Sequence, residues 1–143
     1  MIVSTILSVK GSNVVTIEPT ATLAEASKLL AQHRIGAVLV TGAGERIVGI
    51  VSERDIVRAL AVHGADALKL PLTDIMTRKV VTCSRADTIA ELMERMTGGK
   101  FRHLPVLEDG RLVGIVSIGD VVKMRLQEME HEHNAMRDYI QTA

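Results

Sequence analysis

Apolar positions along this chain fall into two kinds of run, and the two kinds recur in the same order. Leu23, Ala26, Leu29 and Leu30 lie at helical spacing, as do Ile89, Leu92, Met93 and Met96. Each set follows a threonine with a glutamate three residues later, Thr22 with Glu25 and Thr88 with Glu91. That is the capping-box spacing: the hydroxyl takes one unpaired helix N–H and the carboxylate takes the other. These signals predict helices to about His33 and Thr97, the second stopped by Gly98-Gly99. Continuous apolar runs predict strands over Val14 to Ile17, Ala37 to Val40 and Ile47 to Val51. A second set is expected over Val80 to Cys83, Leu104 to Leu107 and Leu112 to Val116. In each set a glycine-containing turn joins the last two strands into a hairpin. A last helix opens at Ser52 or at Ser117. The order is β-α-β-β-α, twice.

The recurrence is a sequence repeat. Val48-Gly49-Ile50-Val51-Ser52 returns letter for letter as Val113-Gly114-Ile115-Val116-Ser117, each with an aspartate three residues on, Asp55 and Asp120. Val15-Thr16 matches Val81-Thr82, Thr22-Leu23-Ala24-Glu25 matches Thr88-Ile89-Ala90-Glu91, and Val40 matches Val106. The turn Gly42-Ala43-Gly44-Glu45 is one residue longer than Glu108-Asp109-Gly110, a cheap change at a surface. One copy is too small to be comfortably stable alone, and two with facing sheets and helices bury a shared core. The expected fold is therefore α/β (α+β): two β-α-β-β-α repeats packed with pseudo-two-fold symmetry, plus a C-terminal helical extension. We place the first repeat at 3–64, a short connector containing Pro71 at 65–77, the second repeat at 78–126 and the tail at 127–143. Val122, Leu126, Met129, Met136, Tyr139 and Ile140 continue a helical pattern into the tail, which is expected to pack on the module or on a partner subunit.

Composition narrows the function classes. Seventeen basic side chains balance seventeen acidic ones, so no net field draws nucleic acid or an anionic membrane. Phe101 and Tyr139 are the only aromatics, which leaves an aliphatic core and no platform for stacking bases. Met1-Ile2-Val3-Ser4-Thr5 lacks a basic signal-peptide region, and no run approaches the roughly 18 to 20 apolar residues of a membrane span. The lone Cys83 rules out an intrachain disulfide. A cytoplasmic protein is expected. No nucleophile elbow, phosphate-binding glycine loop or clustered metal ligands are present, so the chain is read as no enzyme, with no metal. His131 and His133, two apart on a helix, point away from one another and make a poor metal pair.

The duplicated features carry a family resemblance. The β-α-β-β-α order, Arg102-His103-Leu104-Pro105-Val106 before a hairpin, Gly-Ile-Val-Ser in its second strand and Ser-x-x-Asp into the last helix resemble the cystathionine-β-synthase-type (CBS) domain. The tandem, over about residues 3–126, resembles a Bateman module and the small stand-alone bacterial CBS-pair proteins. The resemblance implies a non-catalytic regulatory module, commonly a two-fold dimer, that binds an adenosine nucleotide (AMP, ADP or ATP) in the cleft between repeats. Its signal would be a conformational or oligomeric change, read by a protein target, with no cofactor required. It implies that Asp120 and Asp55 accept from ribose and that Ser117 and Ser52 help hold phosphate. Arg102, His103 and Arg54 would meet phosphate oxygens. Val81, Ile115 and Pro105 would wall the adenine, with Val15, Ile50 and Ala37 as first-copy equivalents. The second copy has the fuller phosphate equipment.

Other readings stay open at this point. The family also takes NAD(H) and S-adenosylmethionine, and an interaction protein with vestigial sites fits the plainer first copy. Ser-x-x-Asp is also an ordinary helix start. Arg102 and His103 also suit a solvated strand edge, and Arg54 also suits surface pairing with Glu53 or Asp55.

Overall fold

A computed structural model describes residues 1–142. The chain divides into two compact units, Val14–Val80 on the one hand, Met1–Asn13 with residues 81 onward on the other.

In the first unit, β1 (Thr16–Ile17) runs parallel to β2 (Ala37–Thr41), and β2 pairs antiparallel with β3 (Ile47–Ser52). Helix α2 (Leu23–His33) carries the expected capping box, with Thr22 Oγ1 accepting from the Glu25 N–H and Glu25 returning the bond. Helix α3 (Glu53–His63) follows β3 without a loop. Val38, Val40 and Val51 are fully buried against α2 through Ala26 and Leu30. Burying each such side chain stabilises the unit by roughly 1.5–3 kcal/mol. The segment read as a connector is part of this core. It forms 3₁₀ turns over Gly64–Lys69 and Leu72–Asp74, and it buries Ala67, Leu72 and Met76. Its end pairs with β3, where Ile50 and Thr77 exchange two backbone hydrogen bonds of 2.9 Å.

The second unit repeats the plan with two differences. Helix α4 (Ile89–Gly99), capped by Thr88 and Glu91, packs with the hairpin of β4 (His103–Glu108) and β5 (Arg111–Ser117) and with the long α5 (Ile118–Thr142). The strand expected over 80–83 shrinks to one parallel bridge, Cys83 to Val106, because only Cys83 of that run is buried. Its third layer is instead helix α1 (Val3–Lys10), whose Val3, Ile6 and Leu7 join the core of Leu92, Leu104 and Val116. Thus residues 3–10, assigned from sequence to the first repeat, belong to the unit that holds the second. Glycines 98 and 99 also do not stop α4: the helix runs through them and ends at Lys100, which takes the left-handed conformation (φ 57°), as Arg34 (φ 54°) does after α2. Gly99 is needed because the Phe101 ring lies where a side chain would be, 2.0 Å from its ideal Cβ position.

The repeated glycine of Val-Gly-Ile-Val-Ser has the same reason in both units. A Cβ on Gly114 would meet Leu7 Cδ2 at 2.7 Å, and one on Gly49 would meet Met76 Sδ at 2.6 Å and the Thr77 carbonyl at 3.0 Å. The Leu7 tip can swing aside, whereas the Thr77 carbonyl is held in the β3 pairing. Gly49→Ala is therefore expected to cost about 1–3 kcal/mol by overpacking. Gly98→Ala, with open space around the added methyl, is expected to raise stability by about 0.4–1 kcal/mol. Urea unfolding of the two variants beside the parent checks both signs.

Candidate functional site

Each hairpin delivers its last strand directly into a helix, and the serine at that corner caps it. Ser52 Oγ accepts from the Asp55 N–H at 3.3 Å, while Asp55 Oδ2 accepts from the Ser52 N–H at 2.9 Å and hydroxyl at 3.1 Å. Ser117 and Asp120 repeat the set at 3.2, 2.9 and 3.0 Å. The ordinary helix-start reading of Ser-x-x-Asp is thus realised in both copies. It does not exhaust the carboxylates, which offer about four acceptor sites each. Both serine hydroxyls lie within donating distance of their aspartates.

The hairpins arrange the other candidates around these corners. β4 and β5 set His103 beside Ser117 and Pro105 beside Ile115; Leu104, Val106 and Val116 are fully buried, and Pro105 is buried as well. Arg102 is exposed, and its carbonyl accepts the first N–H of α5, from Ile118, at 2.8 Å. Val81 is 37% exposed at the edge of this unit. In the first unit, Ala37 lies beside Ser52 and Leu39 beside Ile50. The Gly36 carbonyl accepts from the Glu53 N–H at 3.0 Å, as Arg102 accepts from Ile118. The register corrects one equivalence: Ala37 matches His103 rather than Pro105, Leu39 matches Pro105, and Gly36 stands where Arg102 stands. Val15 packs half-buried on the first core, and Arg54 is exposed on the first turn of α3. An open groove of about 580 Å³ between α2 and α3 is lined by none of the candidates.

Two polar groups at the corners escaped the sequence reading. Lys10, at the end of α1, donates from Nζ to Asp120 Oδ2 at 2.7 Å and to the Ile115 carbonyl at 3.0 Å. Thr77 Oγ1 donates to Asp55 Oδ1 at 3.2 Å. The Val3, Ile6, Leu7 spacing before Gly11 signals a helix ending at Lys10, but nothing local signals a partner 110 residues away. Burial pushes the Asp120 pKa up, yet the Lys10 ammonium and the Ser117 donors outweigh it and hold the carboxyl below its ordinary 3.8. Asp87 is also held low: burial raises it, but the Ser84 N–H and the Arg95 guanidinium at 2.8 Å prevail. Burial, with the nearby Asp87 carboxylate, pushes the Cys83 thiol up to about 11, so it stays protonated and unreactive at neutral pH. Among the described residues no group of three metal-ligating side chains occurs, and no helix is long and apolar enough to cross a membrane.

A family model described as the CBS domain matches residues 6–62 and again 72–127. The chain belongs to the CBS-domain family. This CBS pair is 36% identical over 124 residues to the mitochondrial CBS domain-containing protein CBSX3 of Arabidopsis thaliana; the match covers 84% of the chain and 60% of that protein's length. Among solved structures it superposes on a CBS-domain-containing protein of Agrobacterium tumefaciens with a TM-score of 0.85 and 50% identity, covering 87% of this chain and 92% of the other. A CBS domain protein of Pyrobaculum aerophilum complexed with AMP matches with a TM-score of 0.75 and 32% identity over 84% and 89% of the two chains. The CBS domain pair of protein MJ0100, in complex with 5′-methylthioadenosine and S-adenosyl-L-methionine, gives 0.77 and 28% over 87% and 98%.

A carboxylate with a depressed pKa adds stability above its unfolded value, and that stability is lost as pH falls through the folded value. Asp120→Asn in this CBS pair is therefore expected to cost about 1 kcal/mol at pH 7 and to flatten the stability profile below about pH 4. The slope that remains belongs in part to Asp87. Thermal unfolding from pH 7 to pH 3 measures both.

Proposed function

We propose that this CBS pair is a non-catalytic regulatory module that binds an adenosine nucleotide, AMP, ADP or ATP, and signals by changing conformation or assembly. The observation that carries the reading is the pair of Ser-x-x-Asp corners. Each holds a carboxylate with spare acceptor capacity beside a strand pair, at the positive end of a helix. A relative of the same fold carries AMP.

In this reading Asp120 and Asp55 accept from ribose hydroxyls. Ser117 and Ser52 help hold phosphate by turning their hydroxyl protons from the aspartates, beside the helix N-termini and the side chains of Arg102, His103 and Arg54. In α5 the Ile118 N–H goes to Arg102 and the Asp120 N–H to Ser117. The Gly119 N–H lies between them, a first-turn donor that those bonds do not engage. Pro105, Ile115 and Val81 supply apolar wall for the base. The MJ0100 complex favours a second reading, in which the adenosine compound is S-adenosylmethionine or its thioether product. NAD(H) shares the same adenosine half.

A thermal-shift panel separates these. The purified, ligand-free chain is scanned with AMP, ADP, ATP, NAD, NADH and S-adenosylmethionine. A ligand that binds only the folded state at 100 times its Kd stabilises by about 2.7 kcal/mol, a shift of several degrees at this size. The expected result is a shift with at least one adenine nucleotide, reduced in Asp120→Ala or Asp55→Ala. A shift with S-adenosylmethionine alone selects the second reading, and no shift with any of the six overturns both.

A further inference from the structure

Helix α5 is two-sided. Over its first turns Val121 and Met124 are buried in its own unit. On the opposite side stand Val122, Leu126, Met129, His133, Met136 and Ile140, all exposed, the apolar ones by 41% to 68%. Their spacing is four, three, four, three and four residues. Each position therefore recurs seven residues on, Val122 to Met129 to Met136 and Leu126 to His133 to Ile140, which is the heptad of a coiled-coil seam. Leu126, His133 and Ile140 take the a positions of the heptad, and Val122, Met129 and Met136 take the d positions.

The flanking charges choose the occupant. Beside the seam lie Arg125 and Glu132 at g, and Glu130 and Arg137 at e. In a parallel pair each g side chain faces the e position five residues on in the other helix. Two copies of α5 would then set Arg125 against Glu130 of the second copy and Glu132 against Arg137 of the second copy, with the reciprocal pairs generated by symmetry. In an antiparallel pair e faces e and g faces g. Glu130 would then meet Glu130, Glu132 would meet Glu132, and Lys123 would meet Arg137, all like charges. The Arg125 guanidinium touches Glu128 at 3.5 Å and stays 37% exposed, within reach of a neighbour. With all six seam positions engaged, the set is complementary to itself in the parallel orientation only, and a two-fold axis generates both halves of it.

We infer that α5 forms a parallel two-stranded coiled coil with a second copy of this chain, in register along Val122 to Ile140. His133 sits at a core a position, where a polar side chain fixes register at a cost in affinity. The inference does not depend on the nucleotide reading.

Cysteine scanning tests it on the full chain, since native Cys83 is buried and unreactive. Met129→Cys and Met136→Cys are oxidised mildly at micromolar concentration, with Asn134→Cys, off the seam, as the control. Expected is a disulfide-linked dimer from each seam variant, formed at least about fivefold faster than from the control. Arg137→Glu should lower the cross-linking of Met129→Cys, and adding Glu132→Arg should restore it. His133→Leu should tighten self-association about tenfold by sedimentation. No covalent dimer from either seam variant, or equal linking of Asn134→Cys, overturns the coiled coil. A failure of the charge swap to restore linking overturns its parallel register.

Discussion

The contact on which both units depend is a side chain laid against the glycine of Val-Gly-Ile-Val-Ser. Leu7 covers Gly114 and Met76 covers Gly49. In each case the covering segment lies in the chain just ahead of the other repeat, so each unit is closed by residues that sequence order assigns elsewhere. The consequence reaches the corner chemistry. One turn of helix beyond Leu7 brings Lys10 to Asp120, and the residue after Met76 brings Thr77 to Asp55. At Gly49 a larger residue would press on the Thr77 backbone and so disturb the hydroxyl that meets Asp55, whereas at Gly114 the Leu7 tip can swing aside.

In the proposed reading the aspartates serve two ends that share one geometry. As the third residue of its helix, each stabilises a backbone start that would otherwise leave N–H groups unpaired. The bonds that do this also fix the carboxylate in direction, which is what the proposed ribose acceptor needs. A ligand hydroxyl meeting such a group adds a bond without ordering a mobile side chain, so little conformational entropy is lost. The same economy ties binding to folding, since a ligand on the cap strengthens the helix start.

How much of this was legible in the sequence depended on whether the signal was local. The capping boxes at Thr22 and Thr88, the hairpins and the corner serines follow from spacing alone, and all form as read. Helix α1 was missed because the repeat pattern does not extend over it, although Val3, Ile6, Leu7 and the Lys10-Gly11 ending carry an ordinary helix signal. The connector failed for the opposite reason: Pro71 and small residues suggested a link, while the burial of Leu72 and Met76 depends on strands twenty or more residues away. Matching Ala37 to Pro105 failed although the match of Val40 with Val106, counted back one residue, already sets Leu39 at Pro105, as the strand register does. Lys10 and Thr77 at the corners are tertiary facts, delivered by packing rather than by motif.

Those two residues make the corners unequal in a way the motifs conceal. By sequence the second copy looks the better equipped, with Arg102, His103 and Pro105 where the first has Gly36, Ala37 and Leu39. The structure adds a second difference. At Asp120 the Lys10 ammonium, at 2.7 Å, shares Oδ2 with the cap bonds, and those bonds leave Oδ1 open. At Asp55 the cap bonds take Oδ2 and the Thr77 hydroxyl takes Oδ1 at 3.2 Å. In the proposed nucleotide reading the second corner therefore offers a phosphate more cations and a ribose the more open oxygen. A ligand at the first corner must share Oδ1 with a neutral hydroxyl or displace it. Both differences favour the second corner for an anionic adenosine ligand.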